Sequence, residues 1–300
     1  MSQNHKAIGQ FALACLAIFL MSGCNPNATP PNQTEDATLS DTSPMAIAEQ
    51  GDQSMSALMS ALMHPQRPES HRARDVHRHP VETLAFFGVT PEMTVIELSP
   101  GGGWYSEILA RYLKDKGQLI AAHWDMNADL SEGYRRARRQ YDERFGDVDQ
   151  FGNVQIIPFS PPQSTNLGDE NSADVVLSFR NVHSWQRSAS LPTVFAAAFD
   201  VLKPGGVFGV VGHRLPEDRE QDPESRSGYV KESHVIAVAE AAGFVLDGRS
   251  EINANPLDTA DHPNGVWNLA PSLRIADGDE NDYAAIGESD RFTLRFKKAM

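Results

Sequence analysis

Cysteine is almost missing from this 300-residue chain: it occurs twice, as Cys15 and Cys24. Both lie within the first two dozen residues, so neither a disulfide nor a thiolate metal site serves the folded part of the chain. Basic side chains are also scarce, 26 Lys and Arg against 40 Asp and Glu, which leaves a net charge of −14. Phosphate backbones need a basic surface, so this balance excludes nucleic acid as a partner. It does not exclude an anionic small molecule, because a pocket can carry a local Arg or His. Long apolar runs are missing apart from residues 11–21, a run too short to remain as a bilayer span. No close pair of histidines sits on a recognisable helix face, so a metal centre built from His183, His213 and His234 is not expected.

What is present at the N-terminus reads as targeting. Lys6 precedes the apolar run, which ends Leu20-Met21-Ser22-Gly23-Cys24. That ending resembles the bacterial lipoprotein box, with Met21 where Leu is usual. The resemblance implies removal of residues 1–23, lipidation of Cys24, and an exported domain on the periplasmic side of a bacterial membrane, outer membrane first. The lipid is then the domain's only membrane contact. Ordinary secretion with cleavage nearby is the alternative. Residues 25–53 are mostly Asn, Pro, Thr, Ser, Asp and Gln, too polar to bury a core, so 24–54 is expected to be a disordered tether.

The folded part is organised around Val95-Ile-Glu-Leu-Ser-Pro-Gly-Gly-Gly-Trp-Tyr105. An apolar strand, a glycine turn and a helical pattern at Ile108, Leu109, Tyr112 and Leu113 open an α/β sheet of the dinucleotide-binding type. Gly101, Gly102 and Gly103 tolerate positive φ, and without a Cβ they let a ligand lie on the backbone. Before this strand, residues 69–80 are dense in Arg and His. They read either as a solvated charged face or as a cover over the glycine turn that offers Arg74 or Arg78 to a carboxylate.

Further strands are expected at 118–122, 153–159, 173–179, 207–211, from 244, and at 292–296. The segment 129–149 reads as a charged, solvated helix. The polar stretch 217–227 and the long insertion 253–289 are expected to cover the cleft. The spacing Glu97-x-Ser99-x-Gly101-x-Gly103 and the turn Leu202-Lys-Pro-Gly-Gly206 resemble motifs of class I S-adenosylmethionine-dependent methyltransferases. Residues 55–300 also resemble a group of predicted exported bacterial methyltransferases, through Arg74-Asp75, Arg78-His-Pro, Phe179-Arg-Asn-Val-His-Ser-Trp and Gly209-Val-Val-Gly-His-Arg.

The resemblance implies a Rossmann-like, doubly wound, seven-stranded sheet with its last strand antiparallel and helices on both faces. It implies S-adenosyl-L-methionine as cofactor, a small-molecule or envelope substrate, and a cofactor cleft formed by Glu97, Ser99, Gly101, Gly102, Gly103, Trp104, Tyr105 and Arg180. The acid that usually binds the ribose falls on His123, with Asp125 nearby. The acid that often contacts adenine is replaced by Ser160, after Phe159. His183 is the candidate general base, with Asn181 and His213 beside it, because a near-neutral pKa lets a histidine accept a proton unaided. Each of these could instead be a structural group. Arg78, His213 and Arg214 are candidates for holding substrate. The missing acids leave a second reading open, a non-catalytic binding lipoprotein that keeps the fold.

Overall fold

The computed structural model describes residues 44–275 and 278–300. The expected signal peptide, Cys24 and the tether as far as residue 43 lie outside the described residues. Strands β1 (Thr94–Leu98), β2 (Gln118–His123), β3 (Gln155–Pro158), β4 (Ala173–Phe179), β5 (Leu202–Leu215), β6 (Val230–Lys231), β7 (Phe244–Ser250) and β8 (Arg291–Lys298) make the sheet. Its order is β3-β2-β1-β4-β5-β8-β7, with the two-residue β6 attached to the end of β5. β1 to β5 run parallel, and β8 runs antiparallel to both β5 and β7. This is the expected Rossmann-like architecture, with β6 as an unforeseen addition.

The helices are α1 (Pro44–Leu62), α2 (Glu69–Arg72), α3 (Asp75–Arg78), α4 (Pro80–Phe86), α5 (Trp104–Leu113), α6 (Glu132–Phe145) and α7 (Val148–Phe151), then α8 (Val182–Arg187), α9 (Leu191–Val201), α10 (Glu232–Ala241) and α11 (Glu280–Ile286). Because α1 starts at Pro44, the segment 44–54 is helical where a tether was expected.

Strand alternation divides the core into two layers. Ile96, Leu98 and Val176 point to the face covered by Val194, Phe195 and Ala198 of α9 and Val235 and Ala239 of α10. Val95, Val175 and Leu177 point to the other face, under Leu84 of α4, Ile108 and Leu109 of α5 and Tyr141 of α6. Glu97 shares its side of β1 with Val95, which puts its carboxyl beneath α5 and α6. The reading of residues 129–149 as solvated is therefore corrected: Tyr141 and Phe145 are buried in this second core.

Candidate active site

In an open parallel sheet, ligands bind beyond the carboxyl ends of the strands, at the point where strand order reverses. Here that point lies between β1 and β4, and a cavity of about 300 Å³ opens there. Its floor is Ser99-Pro100-Gly101-Gly102, from the turn after β1. Arg180, Asn181 and His183 enter from the turn after β4 and from α8, His213 from the end of β5, and Trp104 from the start of α5. A larger cavity, about 930 Å³, is lined by α1 with Glu92 and Lys116, which precede β1 and β2 at the opposite end of the sheet.

The backbone of this turn is under constraint. Ser99 and Arg180, neither of them glycine, adopt φ of +49° and +65°. Such residues cost free energy and cluster at functional sites. A Cβ added at Gly101 or Gly102 would meet no heavy atom within 4 Å, so the backbone there faces open space. Gly103 differs: its Cβ would lie 2.5 Å from Phe145 Cε2, so α6 already occupies that position.

Several candidate residues have other partners. Glu97 is 2% exposed and accepts a hydrogen bond from Ser106 Oγ at 2.6 Å. Burial pushes its pKa up to about 8, partly offset by that bond, so it is a neutral core group and not a carboxylate facing a ligand. His123 is 1% exposed. Trp124 N donates to its Nδ1 at 2.8 Å, so Nε2 carries the hydrogen and donates to Gly101 O at 3.0 Å. Both ring nitrogens are engaged, and burial holds the imidazole neutral with a pKa of about 4. Asp125 Oδ1 accepts from Asn127 N, while Ser160 Oγ accepts from Asp125 N, so these two close their own turn. Phe159 is core, edge-on to Trp185. Tyr105 stacks on Phe179 with ring centroids 3.5 Å apart and donates its hydroxyl to Arg78 O.

The substrate candidates are corrected in the same way. Arg214 holds the end of β5, bonding to Glu251 at 2.7 Å and to Arg291 O at 3.0 Å. Arg78 is 1% exposed, stacks 4.6 Å over Trp104 and bonds to Glu288. Asn181 Nδ2 donates to Leu98 O at 2.9 Å and to Ser99 O, which ties the β4 turn to the β1 turn and makes it a positioning group. His234 bonds to Gln186, away from His183. Among the described residues, no cluster of three or more His, Cys, Asp or Glu is placed to hold a metal ion.

His183 and His213 do come together, with ring centroids 5.5 Å apart. Burial, then Arg187 and Arg180, lower the pKa of His183 to about 4. Burial, then His183, Arg180 and Arg291, hold His213 well below its usual range, and its Nδ1 bonds to Ser289 Oγ. Two neutral imidazoles thus face the cavity.

Of the far wall, Arg74 was expected as part of a cover over the glycine turn, and the other residues were not foreseen singly. That wall holds Trp267 and Ser272 from the insertion, Glu288 and Ser289 just before β8, and His71 and Arg74 from the N-terminal helices. Trp267 meets His183 edge-on at 5.9 Å. Part of the insertion 253–289 lines the cavity, whereas no residue of 217–227 does, which corrects the expectation that both stretches cover the cleft. The stretch 217–227 braces that wall from behind, Ser227 O accepting from Val266 N.

The residues fit one end of S-adenosylmethionine. The open backbone at Gly101 and Gly102 suits the methionine end, whereas the usual ribose position is filled by His123, packed against Tyr141 at 4.5 Å.

No family model matches the chain, and no curated protein sequence matches it. Among solved structures, it is similar to a SAM-dependent methyltransferase from Aquifex aeolicus, with 15% identity and TM-score 0.51, over 82% of this chain and 98% of that one. It is also similar to an arsenic(III) S-adenosylmethionine methyltransferase from Chlamydomonas reinhardtii, with 16% identity and TM-score 0.45, over 81% and 73%. The chain has the Rossmann-like fold of S-adenosylmethionine-dependent methyltransferases.

Proposed function

We propose that this chain is an S-adenosylmethionine-dependent methyltransferase acting on a small-molecule acceptor. The observation behind this reading is the open glycine turn at the point where strand order reverses, with two neutral imidazoles lining the same cavity. When bound, the cofactor supplies an electrophilic methyl group. Ser99, Gly101 and Gly102 are the residues that would hold its methionine end. Admitting the adenosine end requires His123 to release Gly101 O.

Methyl transfer needs alignment above all, and acid–base help only in deprotonating an O or N nucleophile. Trp267, Phe179 and Trp104 give the cavity apolar wall surface. His183 is neutral at neutral pH, so one of its ring nitrogens can accept a proton. Its pKa of about 4 corrects the expected near-neutral value and makes it a weaker base, while His213 is held in place by Ser289. The engaged nitrogens of His123 favour a second reading, a binding protein that keeps the fold without the transfer.

A transfer assay separates the two readings. Methyl-labelled S-adenosylmethionine is incubated with the protein and with fractionated small-molecule and envelope extracts. Label should move to an acceptor, and His183→Ala should slow the transfer by about 10²–10⁴-fold. Label that stays on the cofactor with every fraction favours the binding protein. From the sequence we further propose export and lipid anchoring at Cys24.

A further inference from the structure

The cavity carries an unbalanced positive charge within an acidic protein. Four guanidinium groups, those of Arg74, Arg78, Arg180 and Arg291, gather about one carboxylate, Glu288, in a chain of net charge −14. Glu288 is 3% exposed. Burial would raise its pKa, but Arg291, Arg180 and Arg74 together hold it below the usual carboxylate range, so it is ionised. Its oxygens are already taken. Oε1 accepts from Arg74 Nε at 2.8 Å and Arg78 Nε at 3.1 Å, and Oε2 accepts from Arg78 Nε at 3.0 Å and Arg291 Nη1 at 2.9 Å.

Arg291 is fully satisfied, since Nη2 donates to His77 O and Nε to Ser289 O. Arg180 is not. Among the described residues its guanidinium makes no hydrogen bond and no ion pair within 4 Å, interacting with Glu288 only at longer range, and it lines the cavity. Arg74, which lines the same cavity and shares Glu288 with Arg180, keeps a buried Nη2 without a hydrogen-bond partner. The buried Nη2 of Arg74 is a costly donor to leave unpaired, Arg180 is half-buried and lines the cavity, and a planar guanidinium suits a carboxylate or phosphate in two-point contact.

We propose that Arg180 and Arg74 bind an anionic group, carboxylate or phosphate, carried by the methyl acceptor. This rests on the methyltransferase reading for the word acceptor, and on the cavity alone for the anion. Arg180 follows β4, one strand over from the glycine turn, and its left-handed backbone (φ +65°) turns the chain at the cavity wall. An anion there would leave the rest of the molecule between Phe179, Trp267 and His183. It would also balance one of the charges that lower the pKa of His183, and so make that imidazole a better proton acceptor once substrate is bound.

The test titrates the whole protein with inorganic phosphate and with acetate, and separately with S-adenosylhomocysteine, by calorimetry and thermal shift. Phosphate or acetate should bind the wild type whether or not S-adenosylhomocysteine is present. Arg180→Gln should weaken that binding roughly tenfold or more, and Arg180→Lys should retain most of it. Indifference of the wild type to both anions overturns the proposal, as does an equal response from wild type and Arg180→Gln. If S-adenosylhomocysteine competes with the anions and Arg180→Gln weakens both, the site holds the cofactor's own carboxylate and the proposal is overturned. If S-adenosylhomocysteine fails to bind any form, the methyltransferase reading falls, while the phosphate titration still reports on the anion site.

Discussion

Glu97 and His123 have the residue types and positions of ligand groups, yet both look inward. The direction of Glu97 follows from strand alternation, because it shares a side of β1 with Val95 beneath α5 and α6. Its pKa of about 8 lies above the value of an unfolded glutamate, so the folded state holds a proton that the unfolded state releases. The stability this contributes is complete at acid pH and declines as pH rises from the unfolded value through about 8. Glu97→Gln should remove that component, at about 1.4 kcal/mol per pH unit in the window. Urea denaturation at acid, neutral and alkaline pH reads it: the wild type should lose ground to the variant as pH climbs. Parallel curves would mean that Glu97 ionises freely in the folded protein. For His123, Asp is the informative substitution. A carboxylate facing Gly101 O should lower the melting temperature, yet tighten S-adenosylhomocysteine by about 1–3 kcal/mol through the ribose hydroxyls. Equal or weaker binding by His123→Asp would show that the ribose lies elsewhere.

Elements, more than single side chains, decide which parts of the turn are available. α6 is charged along most of its length, and the helical spacing of Tyr134, Tyr141 and Phe145 is easily overlooked among its charges. Even so, Tyr141 and Phe145 close over Gly103, while Gly101 and Gly102 stay open. Gly103→Ala should therefore cost about 2–4 kcal/mol, from overlap with Phe145 added to its positive φ, whereas Gly102→Ala should fold normally. Thermal or urea unfolding of the pair checks this, and equal stabilities would contradict the packing of α6. The insertion 253–289 contributes Trp267 and Ser272 to the cavity, so ligand should slow amide exchange in that segment. Unchanged exchange at saturating ligand would make it a fixed wall instead of a closing one.

Taken whole, the chain declares its sheet in sequence and conceals much of its site. The strands were legible because buried parallel strands are continuous apolar runs, and the antiparallel close of β8 because Phe292, Leu294 and Phe296 alternate. Ser99, Gly101, Gly102, Arg180, His183 and His213 were legible because they follow strands that had to end at one place. The pairing of Arg74 and Arg78 with Glu288 was not legible. It joins groups more than 200 residues apart in the chain, and no local period reports such a contact. The lipid anchor is a separate expectation: Cys24→Ser should leave an uncleaved precursor without diacylglyceryl mass, and normal processing of the variant would contradict it.

The most direct measurement is calorimetry of S-adenosylmethionine and S-adenosylhomocysteine against the folded wild type and Gly102→Asp. Gly102 has open space before it and no positive φ, so the substitution leaves the fold intact and sets a carboxylate where the methionine end would lie. The wild type should bind both compounds, at or below the range of about 1 μM–1 mM usual for enzyme substrates, and Gly102→Asp should bind neither. A folded wild type that gives no heat and no thermal shift at saturating cofactor would contradict the methyltransferase reading.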